Sequence, residues 1–133
     1  MDLYKNILLI DDDDGDLTVF SRALKALDPA IICHTADNGL HGLNLIRRLP
    51  ELDLIFVDLN MPGMDGFEYL QALKLEPAYR GIPCIAWTSS VDENNRKKAM
   101  DLGAAGFIIK PTDVDKLKII LRHVLSGELS VQL

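Results

Sequence analysis

A chain of 133 residues has room for one domain with a single core, and its 48% hydrophobic content is enough to fill that core. With 14 basic residues against 20 acidic ones the formal charge is −6, which argues against direct binding to a nucleic-acid backbone. The opening MDLYKN has no basic segment leading into an apolar stretch, and no later run approaches a membrane span, so a cytoplasmic protein without membrane contact is expected.

The first apolar run, NILLI at residues 6–10, drives straight into four carboxylates, Asp11 to Asp14. Two such groups about 4 Å apart repel by roughly 4 kcal/mol at the effective dielectric of a protein surface, so water, a basic partner or a metal ion must compensate. Leu17, Phe20, Leu24 and Leu27 follow at helical spacing, and Asp13, Asp14 and Asp16 suit the N-terminus of that helix. The second run is AIICHT, and Leu43 and Ile46 mark the helix after it. A third run, DLIFVD, ends in an isolated carboxylate, Asp58, and is followed by the stripe Phe67, Leu70 and Leu73.

The fourth run, PCIAWT, leads into Thr88 and Ser89, either of which could cap the helix that follows. That segment, DENNRKKAMDLG, offers only Ala99, Met100 and Leu102 as apolar contacts and should be the least firmly held helix. The fifth run, GFIIK, ends in Lys110. Val114, Leu117, Leu121, Val124 and Leu125 then define the last helix, bounded by Pro111, by Thr112 and Asp115 at capping-box spacing, and by Gly127. Ile119 falls opposite that stripe and is a candidate contact for a partner or a second copy. Cys33 and Cys84 both lie in short apolar runs and read as inert core thiols.

Five continuous apolar runs alternating with five helical patterns predict a parallel sheet covered by helices on both faces. Ligands of such sheets gather at the carboxyl ends of the strands. Asp11, Asp12, Asp58, Thr88 and Lys110 all fall there. They form the inventory needed to hold magnesium and manage a phosphoryl group: hard oxygen ligands, a point positive charge and a hydroxyl donor. Magnesium takes one or two direct carboxylates, which suggests Asp12 and Asp58 as ligands, Asp11 acting through water, and the Asn60 carbonyl as a further oxygen. Asp58 among apolar neighbours can then act as a nucleophile, with the cation and Lys110 neutralising the incoming charge.

ILLIDDD, LIFVDLNMPGMDG, IAWTSS and GFIIKP, in this order and at these separations, resemble the receiver domain of bacterial two-component response regulators, from about Asn6 to Leu125. The resemblance implies a flavodoxin-like doubly wound (βα)5 fold with strand order 2-1-3-4-5. It implies that Asp58 accepts a phosphoryl group from a phosphohistidine on a sensor histidine kinase or phosphotransfer protein. Magnesium, or manganese in its place, would be held by Asp11, Asp12, Asp58 and the Asn60 carbonyl. Thr88 would hydrogen-bond the phosphoryl group, Lys110 would pair with it, and Phe107 matches the family's switch aromatic. The matching Lys-Pro bond is commonly cis in the family, which points to a cis Lys110-Pro111.

The resemblance also implies output through the face built by residues 92–102, the fifth run and the last helix, toward a downstream protein or a phosphorylation-dependent homodimer. The expected organisation is one domain over 1–133, with a core from about 6 to 125 and a short tail, 126–133. SGELSVQL is too short to fold alone, which suggests a stand-alone receiver, with a longer regulator as the alternative. Such a domain catalyses only its own phosphotransfer and dephosphorylation. Two rivals are a phosphorylation-independent adaptor of the same shape and a phosphatase of the haloacid-dehalogenase type. The latter is disfavoured because Asp11 and Asp13 are followed by Gly15 and Asp58 is left without a role.

Overall fold

The computed structural model describes residues 3–131; Met1, Asp2, Gln132 and Leu133, which the one-domain expectation includes, lie outside the described residues. The apolar runs form β1 (Asn6–Ile10), β2 (Ile32–Ala36), β3 (Leu54–Asp58), β4 (Cys84–Thr88) and β5 (Gly106–Ile109). Between and after them lie α1 (Asp14–Leu27), α2 (Gly39–Arg48), α3 (Gly66–Leu75), α4 (Glu93–Asp101) and α5 (Val114–Leu125). The strands pair in parallel in the order β2-β1-β3-β4-β5, the doubly wound order expected, with the reversal between β1 and β3.

Because side chains alternate along each strand, the sheet feeds two cores. Ile7, Leu9, Phe56, Trp87 and Ile108 meet α1 and α5 through Phe20, Leu24, Leu117 and Leu121. Leu8, Ile10, Val57 and Phe107 meet α2, α3 and α4 through Ile46, Leu70, Leu73 and Ala99. β1, β3 and β4 are covered on both faces, as continuous apolar runs require. β2 departs from that reading. It is an edge strand, and Ile32 at its start is 51% exposed. Cys84 is buried and Cys33 half-buried, and burial pushes both thiols up, so neither is a thiolate at neutral pH.

Helix starts follow local chemistry. Asp13 caps α1, accepting from the Asp16 N–H at 3.0 Å, and Asp65 with Glu68 forms a capping box on α3. α5 begins otherwise than Thr112 suggests. Its cap is Asp113, which accepts from the Lys116 N–H at 2.8 Å, and Val114 is left exposed at the helix start. A carboxylate outcompetes the neighbouring hydroxyl for the amide three residues on, because it adds a favourable charge at the helix N-terminus. α4 is capped by Asp92 rather than Thr88 or Ser89, since three residues lie between Ser89 and the first helical residue, Glu93, and four between Thr88 and Glu93.

As its sequence implies, α4 buries only Ala99, and Met100 is exposed. Two cations supply contacts that aliphatic residues provide elsewhere: Arg96 lies over the Phe107 ring at 5.2 Å and Lys98 over Phe67 at 4.3 Å. At the far end of α5, Gly127 adopts a φ of +107° and turns the chain back on itself. The following residues do not hang free. Leu129 packs against Gly106, the Ser130 hydroxyl accepts from the Phe107 N–H at 3.1 Å, and Val131 is buried, so the tail covers the open edge of β5. The Lys110-Pro111 peptide is trans, unlike the cis form expected; the preference between the two is small enough for local packing to set. Among the described residues no helix is long and apolar enough to cross a membrane.

Gly66, the first residue of α3, sits where the chain folds back beneath Asp58. A Cβ there would lie 2.5 Å from the Asp58 carbonyl oxygen and 2.7 Å from the Leu59 Cα, both backbone atoms that move only with the strand. Gly66→Ala is therefore expected to lower stability by about 1–3 kcal/mol, despite alanine's better helix propensity. Urea unfolding monitored by circular dichroism checks this, and an unchanged midpoint would contradict it.

Candidate functional site

At the carboxyl edge of the sheet the strand ends bring their polar residues together. Asp11 follows β1 and is 0% exposed, Asp58 closes β3 with 5% exposure, and Thr88 closes β4 fully buried. Asp12 stands beside Asp11 on the exposed rim. Lys110, just past β5, turns its Nζ into the cluster, 2.9 Å from an Asp11 oxygen and 3.2 Å from an Asp58 oxygen. One ammonium thus answers the repulsion that the acidic run created.

The other contacts fix each group. Asp58 Oδ1 accepts from the Asn60 N–H at 3.0 Å while its Oδ2 faces Lys110. Asp11 Oδ1 accepts from the Asp13 N–H at 3.0 Å. Thr88 Oγ1 accepts from the Ser90 N–H at 3.1 Å and from the Asn60 side-chain amide at 3.3 Å. Asn60 therefore ties the loop after β3 to the hydroxyl after β4 through its side chain, a role beyond that of its carbonyl. Phe107 lies inward, buried under Arg96 in the core shared with α4. Ile119 is exposed on α5, away from the cluster.

Two further side chains join the cluster. Asp16, a first-turn acid of α1, also accepts from Lys110 Nζ at 2.9 Å. Trp87 donates its indole N–H to Asp11 Oδ2 at 3.2 Å. The one available signal was a donor-bearing aromatic in the strand residue before Thr88. Asp13, by contrast, caps α1 through Oδ1.

Electrostatics follow from burial. Desolvation pushes the Asp58 carboxyl up to about 6, with Asp11 adding to the rise and the Asn60 N–H and Lys110 opposing it. Asp58 is thus ionised at neutral pH, though less comfortably than a surface aspartate. Burial works to lower the Lys110 ammonium, but hydrogen bonds to Asp11 and Asp16 and the charges of Asp11 and Asp58 outweigh it and hold the lysine protonated. Oxygen atoms of Asp11, Asp12 and Asp58 lie within 4.8 Å of one another, so one ion could touch all three. Hard, anionic, partly exposed oxygens of this kind fit a small divalent cation.

The family model for response regulator receiver domains matches residues 7–122. The chain is 29% identical over 123 residues to the sensor histidine kinase CheAY of Helicobacter pylori, covering 92% of this chain and 15% of that protein. The chain thus spans a small part of the length of that relative. Among solved structures, the phosphorylated cyanobacterial phytochrome response regulator RcpA superposes with a TM-score of 0.83 at 25% identity, covering 93% of this chain and 95% of that one. The Mn2+-bound form of response regulator Rcp1 gives 0.78 at 25% identity and covers 97% of each chain. With a family match over nearly its whole length and the sheet order and helices of these neighbours, this chain belongs to the response regulator receiver domains.

Proposed function

We propose that this domain is a phosphoacceptor switch in which Asp58 takes a phosphoryl group from a phosphohistidine of a sensor histidine kinase or phosphotransfer protein. The observation that carries the reading is the position of Asp58. Its carboxylate is buried at the sheet edge, 3.2 Å from Lys110 Nζ and beside the Asp11 and Asp12 carboxylates. A carboxylate oxygen of Asp58 attacks phosphorus, a P–O bond forms as the P–N bond to imidazole breaks, and the imidazole leaves with the electron pair. Lys110 pairs with the phosphoryl oxygens, and the Thr88 hydroxyl, released from its acceptor role toward Asn60, donates to them. Asp12 and Asp58 directly, Asp11 through water and the Asn60 carbonyl would hold magnesium, or manganese in its place, which would supply the positive charge that lets an anionic acceptor meet an anionic donor.

Phe107 and Thr88 form the switch, and α4 is the element that yields. Its attachment through Arg96, Lys98 and Ala99 is the thinnest in the fold, so a change at Thr88 shifts its population at low cost. The output surface is α4, β5 and α5, which contacts a downstream protein or a second copy through Ile119 and its neighbours. A single cytoplasmic receiver with its core over about 6–125, without direct nucleic-acid or membrane contact, follows from the same reading. RcpA solved as a phosphorylated protein and Rcp1 solved with Mn2+ support it.

Incubation with a small phosphodonor and magnesium, followed by intact mass, tests the proposal. The expected result is a gain of one phosphoryl group that disappears with chelator. No gain in the presence of magnesium would favour the phosphorylation-independent adaptor, and hydrolysis of a phosphate ester surviving Asp58→Asn would favour the phosphatase.

A further inference from the structure

Asp11 is the most deeply buried acid of the cluster, and a buried carboxylate persists as an anion only where donors satisfy it. Three do so here. The Asp13 N–H meets Oδ1 at 3.0 Å, while Trp87 Nε1–H at 3.2 Å and Lys110 Nζ at 2.9 Å both meet Oδ2. Lys110 is committed three ways, since its Nζ also lies 2.9 Å from Asp16 and 3.2 Å from Asp58. An ammonium has three hydrogens; one can pass from the Asp58 oxygen to the phosphoryl group that Asp58 then carries, and any second contact to that group must come from Asp16 or Asp11. Asp16, with a side chain 42% exposed, can replace that bond with bulk water, whereas Asp11, with a side chain 0% exposed, then depends on its remaining donors.

The indole does not have to leave. Its ring stands edge-on to Phe20 at 5.3 Å and to Phe56 at 6.1 Å, wedged in the core between α1 and the sheet. The donor is also neutral, so it orients Asp11 without setting a positive charge against an incoming cation. We propose that Trp87 is a positioning residue. Its N–H fixes Asp11 toward the cation site and holds it there when Lys110 turns to the phosphoryl group. This rests on the phosphoacceptor reading for its role in the reaction, but the effect on the cation does not.

The chain has one tryptophan, which permits a clean replacement. Residue-specific substitution by benzothienylalanine keeps the bicyclic shape and exchanges the N–H for sulfur; Trp87→Phe is the second variant. Manganese binding is followed by the electron paramagnetic resonance of the free ion, and the magnesium dependence of phosphorylation by a small donor is measured alongside. The expected result is a roughly tenfold weaker manganese affinity in both proteins, the size typical of losing an outer partner of a metal ligand. The magnesium concentration for half-maximal rate should rise in step, with the rate at saturating magnesium changed by less than about twofold. In the unaltered protein the single indole N–H resonance should shift on adding magnesium.

Unchanged manganese affinity in the benzothienylalanine protein, with a native circular dichroism spectrum, overturns the proposal. If affinity falls while the unaltered protein takes up no phosphoryl group, positioning of Asp11 stands and the phosphoacceptor reading fails. If the unaltered protein is phosphorylated while affinity is unmoved, the reverse holds.

Discussion

Asp58→Asn is expected to abolish phosphoryl incorporation and, at the same time, to stabilise the folded domain at neutral pH. The first effect follows from removing the nucleophilic oxyanion; the amide that replaces it is no acceptor of phosphoryl groups under these conditions. The second follows from linkage. Asp58 titrates near 6 in the fold against 3.8 for an unperturbed aspartate. Below the lower value both folded and unfolded chains hold the proton and the group is neutral to stability. Between the two values the unfolded chain ionises while the folded one resists, so stability falls as pH rises through this window. Above 6 the whole difference is lost, about 3 kcal/mol for a shift of roughly two units.

Asparagine carries no such penalty, and its carbonyl oxygen can still accept from the Asn60 N–H. The variant should therefore exceed the parent by about 2–3 kcal/mol near pH 7, with the gain vanishing near pH 4. Urea unfolding at several pH values measures it, and magnesium should narrow the gap by stabilising the parent alone. A variant less stable than the parent at neutral pH would mean that Asp58 is satisfied by its surroundings and not held there against its preference. The site would then lack the stored repulsion that a cation and a phosphoryl group relieve.

Much of this site could be read from the sequence because parallel-sheet topology converts position along the chain into position in space. Once the apolar runs are strands, the residues after each run must share an edge, and Asp11, Asp58, Thr88 and Lys110 meet there for that reason alone. The parts that escaped reading are those whose placement depends on direction and reach. Asp16 lies in the first turn of α1, where an acid is expected for the helix alone, and nothing in its spacing says that its carboxylate also lies 2.9 Å from Lys110 Nζ. Trp87 looks like core by every pattern, and its ring is core; yet its N–H reaches Asp11 and its ring lies 6.0 Å from Lys110 Nζ. The tail has no periodicity, and its seat on β5 depends on Gly106 lacking a side chain, which no property of residues 128–131 reveals. The exposure of Ile32 goes with the edge position of β2, and a hydrophobic run carries no record of which strand lies at the edge.

Lys110→Ala should be the most destabilising single change at the site. It leaves Asp11 and Asp58 buried beside one another, with Asp16 close by, and removes the ammonium that all three contact. Removing one partner of a buried ion pair costs about 3–5 kcal/mol, because the uncompensated charge stays behind. The lysine itself is charged across the whole accessible range, its pKa being raised above the unfolded value. Its contribution is therefore fully present below that unfolded value and is lost only in strong alkali. Any pH dependence of the loss must come from the carboxylates, and the cost should shrink as pH falls below about 6 and Asp58 takes up its proton. Magnesium should restore more stability to this variant than to the parent, since the ion offers the charge the lysine no longer does.

The double variant Lys110→Ala with Asp58→Asn separates attraction from repulsion. If the lysine serves to offset the crowded acids, Asp58→Asn should gain at least about 1 kcal/mol more in the Lys110→Ala background than it gains in the parent, a coupling between neighbours that independent sites do not show. Strict additivity would place the value of Lys110 in the packing of its aliphatic stem instead. The charge balance that readies Asp58 for a phosphoryl group would then have to come from the cation alone.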